Sequence, residues 1–403
     1  MTILKTPRPP QVVFTGEDGN VFAWTPSSKR QQQLTWSWEE HQEKKDTENV
    51  PLRLTHMWPA WAPDGNQIAC FGMRSTSESQ LETSLYAVAA DGIESWELSG
   101  LSGGMPIYGN WSPRGNAFAA LVQREKRLSL EIIKLDQLGI TTPIISGAPL
   151  FWSWSPKGDK LAVHVGGNRS ASASARVVIV DTSSGQILAQ ITDRPGDFRV
   201  PVWSPQDNLL TCVERHDTGD DTLFLYDVDT GEKGPVTTVG SGAVALWSTD
   251  GQALAFSSVS RSGSSIFPQV NILDLGTGCT STVLNEPVIG FFWSPRSDFL
   301  LYLTIDQRQN YLCWNRLVRA TGEKAELVRF LPSREQMFIL SFFDQYALSH
   351  PPLAPDGSAL AFAGYLIAPV SATTASHIYC LSLTDPTSTP TRIAQGQFVS
   401  WNL

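Results

Sequence analysis

The chain has 403 residues, with 30 Lys and Arg against 39 Asp and Glu, and a formal net charge of −9 at pH 7. An acidic balance of this kind argues against a nucleic-acid partner or an anionic membrane surface, because both attract basic proteins. The sequence contains no apolar run of about 18 residues, so no membrane insertion is expected.

A tryptophan-containing turn recurs along almost the whole chain, roughly 50 residues apart, which is a spacing typical of propellers and solenoids. Pro at the second position of the turn fixes φ, and a polar residue followed by Gly closes a tight turn. The copies are Trp61-Ala-Pro-Asp-Gly65, Trp111-Ser-Pro-Arg-Gly115, Trp154-Ser-Pro-Lys-Gly158, Trp203-Ser-Pro-Gln-Asp207, Trp247-Ser-Thr-Asp-Gly251, Trp293-Ser-Pro-Arg-Ser297, the degenerate Leu353-Ala-Pro-Asp-Gly357 and the truncated Trp401.

Short apolar runs follow each turn, for example Leu161–Val165 and then Val177–Asp181. They predict four short antiparallel strands in each repeat, which is one propeller blade. The runs are apolar on both faces, as expected for a blade packed between two neighbours. The predicted fold class is all-β, a closed β-propeller with eight four-stranded blades. Seven blades is the alternative if the Leu353 copy is not a true blade.

The two ends of the chain complement each other. The N-terminal part has strand runs at Val12–Phe14 and Val21–Trp24 without a preceding motif turn, and Phe398–Trp401 is a first strand without a following blade. Together they predict one blade that closes the ring and removes its open edges.

At the Trp-Ser-Pro-(Asp/Lys/Arg)-Gly turns, the chain resembles the TolB-type, WD40-like propeller repeat, over roughly residues 11–403. The same repeat style occurs in the propeller of dipeptidyl-peptidase-IV-like proteins. The resemblance implies the fold, but scaffolds, lyases, peptidase accessory domains and binding proteins all use this repeat, so it does not select a function.

The repeats predict a single domain, 1–403, without an appended catalytic domain. The five cysteines, Cys70, Cys212, Cys279, Cys313 and Cys380, are odd in number, and four fall in predicted strands, which favours buried thiols over disulfides. The N-terminus shows no apolar segment of a signal peptide, so a cytoplasmic location is expected. Export is the alternative if the sequence lacks its leader.

Two insertions interrupt the repeat. Residues 37–50 predict a charged, solvated loop. Residues 332–348 are aromatic, and the spacing of Ser333 and Gln336 is that of a helix N-terminus. The apolar side chains of this second insertion either cap the ring and become buried, or form a docking patch for a protein partner. The candidate docking residues are Phe338, Ile339, Phe342, Phe343 and Tyr346.

No catalytic, cofactor or metal site is predicted. The segment Gly100–Gly104 fits the Gly-x-Ser-x-Gly pattern of serine hydrolases, but no α/β region follows it. Some lyases that this repeat resembles hold a metal with several histidines near the central channel. His56, Tyr108 and His350 precede motif positions and are candidates to face the channel, although they lack a local ligand spacing.

Three hypotheses remain. The preferred one is a non-catalytic interaction platform, or an accessory subunit of a larger assembly, with an unidentified protein partner. The first alternative is a propeller enzyme, a lyase or hydrolase that acts on a sugar or peptide in the central channel. The second is a protein that binds a small ligand or a peptide at the channel mouth.

Overall fold

The computed structural model describes residues 9–36, 54–75, 81–101, 103–125, 127–166, 175–217, 221–259, 266–306, 308–309, 311–367 and 375–403. The predicted charged loop 37–50 and Ser102 of the Gly-x-Ser-x-Gly match lie outside these residues. The described chain forms 31 strands and two short helices.

Six of the sheets have four antiparallel strands each. The sheet that contains both ends of the chain is called the closing sheet, and its strands are β1 (Val12–Thr15), β2 (Val21–Thr25), β3 (Arg30–Gln33) and β31 (Phe398–Trp401). The next two sheets in chain order consist of β4 (Leu54–Trp61), β5 (Gln67–Ser75), β6 (Leu81–Ala89) and β7 (Ser95–Gly100), and of β8 (Gly104–Trp111), β9 (Ala117–Arg124), β10 (Arg127–Lys134) and β11 (Thr141–Gly147). The two sheets after them consist of β12 (Leu150–Trp154), β13 (Lys160–Val165), β14 (Arg176–Asp181) and β15 (Ile187–Thr192), and of β16 (Val202–Trp203), β17 (Leu209–Arg215), β18 (Asp221–Asp227) and β19 (Lys233–Val239). The last of the five consists of β20 (Ser241–Trp247), β21 (Ala253–Val259), β22 (Val270–Asp274) and β23 (Thr280–Leu284).

The seventh sheet has seven strands and covers two sequence repeats. Its strands are β24 (Val288–Trp293), β25 (Phe299–Asp306), β26 (Tyr311–Val318), β27 (Lys324–Pro332), β28 (Ala359–Leu366), β29 (His377–Ser382) and β30 (Thr391–Gln395). Between β27 and β28 lie helices α1 (Arg334–Ser341) and α2 (Phe343–Tyr346).

The β-propeller prediction is confirmed, but the expectation of eight separate four-stranded blades is wrong in one detail. The repeat that starts at Leu353 lacks a full first strand, and a single bridge between Leu353 and Leu360 stands in its place. The helical insertion precedes that position, and β27 pairs with the far end of β28, for example Leu331 with Tyr365. The described residues therefore form seven sheets, the predicted alternative, although eight repeats contribute to them.

The closing sheet confirms that strands from both ends complete the ring. β31 pairs with β1 in antiparallel register, with Val12 opposite Trp401 and Thr15 opposite Phe398. The backbone N–H of Gln11 also donates to the side-chain oxygen of Asn402 at 2.9 Å. Pairing the two ends in this way removes the exposed edge strands that an open ring would have.

The motif turn sets the backbone at the end of each first strand. Gly65 has a φ of 65°, a left-handed conformation that glycine adopts without steric penalty. In the two copies that lack this glycine, Asp207 and Ser297 take the same conformation, with φ of 65° and 58°. The shared conformation shows that the turn geometry, rather than the glycine itself, is common to the repeats.

The motif tryptophans connect neighbouring sheets. The indole N–H of Trp111 donates to the carbonyl oxygen of Ala60 at 3.0 Å, and that of Trp293 donates to Leu246 at the same distance. In both cases the acceptor directly precedes the motif tryptophan of the preceding repeat. Each indole ring thus fixes the spacing between two sheets and buries a large apolar surface.

The core lies between the sheets, and the strands are buried on both faces. Along β13, for instance, the five residues from Leu161 to Val165 are all buried. The cysteines are free. Of the four that lie in strands, Cys70, Cys212 and Cys313 are buried, as predicted, and Cys380 is half-buried. Neither α1 nor α2 has the length or the apolar character that crossing a membrane would require.

Candidate functional site

The helical insertion begins as the sequence predicts. The hydroxyl of Ser333 accepts a hydrogen bond from the backbone N–H of Gln336 at 3.0 Å and so caps α1. Helix α2 follows directly after Phe342. Residues 333–350 are called the plug from here on, because of the place that they occupy.

The plug packs against the first strands of sheets all around the ring. The ring centres of Phe343 and of Phe291 in β24 are 5.0 Å apart, and those of Tyr346 and of Tyr108 in β8 are 4.3 Å apart. On another side, Phe338 packs edge-on against Trp58 in β4, at 5.1 Å. First strands line the axis of a propeller, so a segment that touches so many of them fills the central channel.

Polar contacts fix the register of the plug within the channel. The side-chain amide of Gln345 donates to the carbonyl oxygen of Trp152 at 2.8 Å and accepts from the Trp152 backbone N–H at 3.3 Å. The amide therefore pairs with β12 much as a neighbouring strand would. The hydroxyl of Tyr108 donates to the carbonyl oxygen of Gln345 at 3.1 Å and also lies 2.8 Å from the hydroxyl of Ser349.

A buried ion pair holds the middle of the plug. Arg199, just before β16, places one guanidinium nitrogen 2.8 Å from a carboxylate oxygen of Asp344. Another nitrogen donates to the carbonyl oxygen of Ser341 at 2.6 Å, and the guanidinium lies 5.2 Å from the ring centre of Phe342. Burial raises the pKa of Asp344 above its usual value, and the charge of Arg199 opposes that effect.

The three candidate channel residues do not form one cluster. His350 and Tyr108 lie together around the plug, with ring centres 6.2 Å apart. Burial lowers the pKa of His350 to about 3, so that its imidazole is neutral at pH 7. His56 instead lies near the start of β4, 5.9 Å from Tyr86, and burial lowers its pKa to about 4. The described residues include no group of three or more His, Cys, Asp or Glu placed to hold a metal ion.

The predicted docking set does not form one exposed surface, and its burial fits the other alternative for this insertion, in which its apolar side chains cap the ring. Ile339, Phe343 and Tyr346 are buried, because the ring surrounds this face of the plug. Phe342 is half-buried, and Phe338 is 37% exposed. A docking role therefore stays a prediction for Phe338 and Phe342 alone.

The channel opens into a pocket where the first strands end, at the end called here the turn mouth. The pocket has a volume of about 450 Å³, and Gln345 and Leu348 of the plug form part of its wall. Motif tryptophans and prolines from five repeats form another large part: Trp61, Pro63, Trp111, Pro113, Trp154, Pro156, Trp203, Pro205 and Trp247. Sequence reasoning assigned these residues to turns and packing and missed that the repeat brings them together around one cavity.

A smaller pocket lies at the opposite end, called here the start mouth, because β4 and β31 begin there. Its volume is about 240 Å³, and Glu17, His56, Trp58, Glu335 and Ile339 are among its lining residues. Trp58 has a φ of 58°, which is unusual for a large side chain, and lies in an irregularity of β4. Sequence reasoning missed Glu17, Trp58 and Glu335, because they belong to separate elements that only the ring brings together.

No protein-family model matches the chain, and no curated protein matches its sequence. Among solved structures, a prolyl endopeptidase matches with a TM-score of 0.54 and 12% identity over 86% of this chain and 50% of that chain. The C-terminal WD40 domain of Sif2 matches with a TM-score of 0.50 and 13% identity, over 82% of this chain and 84% of that chain. TolB from Acinetobacter baumannii matches with a TM-score of 0.42 and 16% identity, over 87% of this chain and 83% of that chain.

Likenesses at this level of identity show a shared fold and leave the function open, since one of these neighbours is named for an enzyme activity and another for a repeat domain. The matches to the prolyl endopeptidase and to the WD40 domain agree with the β-propeller fold described above. The chain is therefore a β-propeller, with a central channel that its own helical insertion fills.

Proposed function

We propose that this protein is a non-catalytic interaction platform, or an accessory subunit, that binds a protein partner. The plug is the observation that supports this proposal. It fills the channel in which a propeller enzyme would hold its substrate, and Gln345 and Tyr108 fix it there through hydrogen bonds. Two of its ionisable groups serve the packing, since Asp344 pairs with Arg199 and His350 is buried among aromatic rings. The five free cysteines favour the cytoplasm as its location.

The end of the plug at the start mouth is the proposed contact surface. Phe338 keeps 37% of its surface exposed although it packs against Trp58 and lies 5.3 Å from Phe342. Aromatic side chains held by rigid neighbours are frequent hot spots of protein interfaces. A partner that covers Phe338 would bury the most exposed aromatic ring of the plug.

The substitution Phe338→Ser should abolish capture of that partner. Tagged wild type and variant are purified from the native host, and the partner's affinity is then measured with both. The loss of a hot-spot aromatic side chain predicts a weakening on the order of 30-fold. Ile93→Ser is the matched control, because Ile93 is 80% exposed in the turn between β6 and β7. Equal binding by Phe338→Ser and wild type would count against the start mouth as the contact surface.

The turn-mouth pocket favours a second candidate function, the binding of a small ligand or peptide. Its volume of about 450 Å³ and its wall of tryptophans and prolines are typical of ligand sites. A thermal-shift panel of metabolites and short peptides should give a ligand that stabilises wild type but not Leu348→Glu. Leu348 is 68% exposed, so this substitution leaves the core intact, and Ile93→Glu serves as control. A panel without any such ligand, or one that stabilises both proteins equally, contradicts this candidate.

A further inference from the structure

The start-mouth pocket combines apolar walls with an acidic rim. Trp58, Ile339 and Phe398 supply apolar surface, while Glu17, in the turn after β1, and Glu335, in the first turn of α1, supply two carboxylates. In the described part of the chain, neither carboxylate takes part in an ion pair. No Lys or Arg is among the described residues that line the pocket.

The described contacts of these two carboxylates bring no cationic side chain to them. The side-chain amide of Gln397 can donate to the Glu335 carboxylate at 3.2 Å, which is a neutral partner. His56 is buried and its pKa is lowered to about 4, so it carries no positive charge at pH 7. Carboxylates beside an aromatic ring attract a cation, both by charge and by the ring's electrostatic field.

The size and surroundings of the pocket select the form of that cation. At about 240 Å³, it is smaller than the sites that enclose drug-sized ligands, and it suits a single side chain. Its wall at Trp58 continues outward to the exposed ring of Phe338, which packs against it. A side chain with a long aliphatic stem and a terminal ammonium group matches the apolar walls and the acidic rim of the pocket. An apolar residue next to it in the partner's sequence would cover Phe338.

We propose that the start-mouth pocket binds a lysine side chain of the protein partner, while an apolar side chain beside that lysine covers Phe338. This inference rests on the proposed platform function and names the chemistry of the partner segment. Charge complementarity at Glu17 and Glu335 selects a basic segment, and the continuity of Trp58 with Phe338 selects a segment of a larger molecule over a free amine.

The test uses the purified full chain and three probes in NMR titrations at low salt. The probes are the tripeptide acetyl-Leu-Lys-Leu-amide, its counterpart with norleucine in place of Lys, and n-butylammonium. The lysine tripeptide should bind more tightly than the other two. Glu17→Gln and Glu335→Gln should each weaken it about fivefold, which corresponds to roughly 1 kcal/mol, and leave the norleucine tripeptide unchanged. Glu232→Gln, an exposed residue after β18, is the control.

Phe338→Ser should weaken both tripeptides and leave n-butylammonium unaffected. Equal affinity of the lysine and norleucine tripeptides, or no response to Glu17→Gln and Glu335→Gln, overturns the inference. Equal affinity of n-butylammonium and the lysine tripeptide overturns it as well, because the pocket would then be a site for small amines. If the tripeptides do not bind, but wild type captures a partner that Phe338→Ser does not capture, the platform function stands and only the lysine site is wrong.

Discussion

Replacing Phe343 by alanine should lower the free energy of unfolding by about 3 to 5 kcal/mol, the range seen when a buried aromatic side chain is deleted from a packed core. The Phe343 side chain is fully buried in the channel. Its ring lies 5.0 Å from Phe291, 5.8 Å from Phe292 and 6.1 Å from Phe267. The backbone of Gly290 also comes so close that an added Cβ would lie 3.1 Å from the Phe343 ring.

Urea unfolding measures this effect, followed in parallel by tryptophan fluorescence and circular dichroism so that the two transitions can be compared. Phe338→Ala is the matched control from the same helical insertion. Because Phe338 is 37% exposed, its removal should lower the free energy of unfolding by about 1 kcal/mol or less. A similarly small loss for Phe343→Ala would mean that the plug does not pack in the channel as the structure has it.

The sequence predicted the repeated part of the fold because its signals are local. A motif turn needs only a few neighbouring residues to set its backbone, and the two-sided apolar strands follow from each blade having two neighbours. The blade count was harder to predict, since the Leu353 copy keeps its turn but loses most of its first strand to the insertion. The helix start at Ser333 was predicted for the same local reason, through its capping pattern.

The location of the plug could not be read from local patterns. An apolar helical face predicts burial or docking, but the surface that covers it is contributed by Tyr108, Trp152 and Phe291, which lie in three other repeats. Trp58 shows the same limit more sharply. It precedes Pro59, a position that favours an extended backbone, and yet its φ is 58°. Its direction in the channel depends on the irregularity in β4 and on the packing of Phe338.

Replacing Arg199 by methionine should lower the free energy of unfolding by about 3 kcal/mol at pH 7, which is the second large effect that we expect. The substitution keeps an apolar stem against Phe342 but leaves Asp344 as a buried carboxylate without its cation. Removing one partner of a buried ion pair is strongly destabilising, and the lower end of the usual range applies because Arg199 is partly exposed. Urea unfolding of the variant and wild type at pH 7 measures the loss.

The pH dependence distinguishes this explanation from a simple packing defect. Burial already raises the pKa of Asp344, and the loss of Arg199 removes the charge that most opposes the rise. A carboxyl group with a raised folded pKa contributes stability that is complete below its unfolded pKa, about 3.9, and is lost as pH rises through the folded value. The destabilisation by Arg199→Met should therefore be largest at neutral pH and shrink as the pH falls toward about 4.

The double variant Arg199→Met, Asp344→Asn completes the test, because it removes the buried charge together with its partner. It should recover at least half of the stability that Arg199→Met loses at pH 7, and the pH-dependent part of the loss should disappear with the titrating group. If instead the double variant is less stable than Arg199→Met at every pH, then Asp344 holds the plug through contacts other than this ion pair. In that case the charge of Arg199 is not what keeps α2 in the channel.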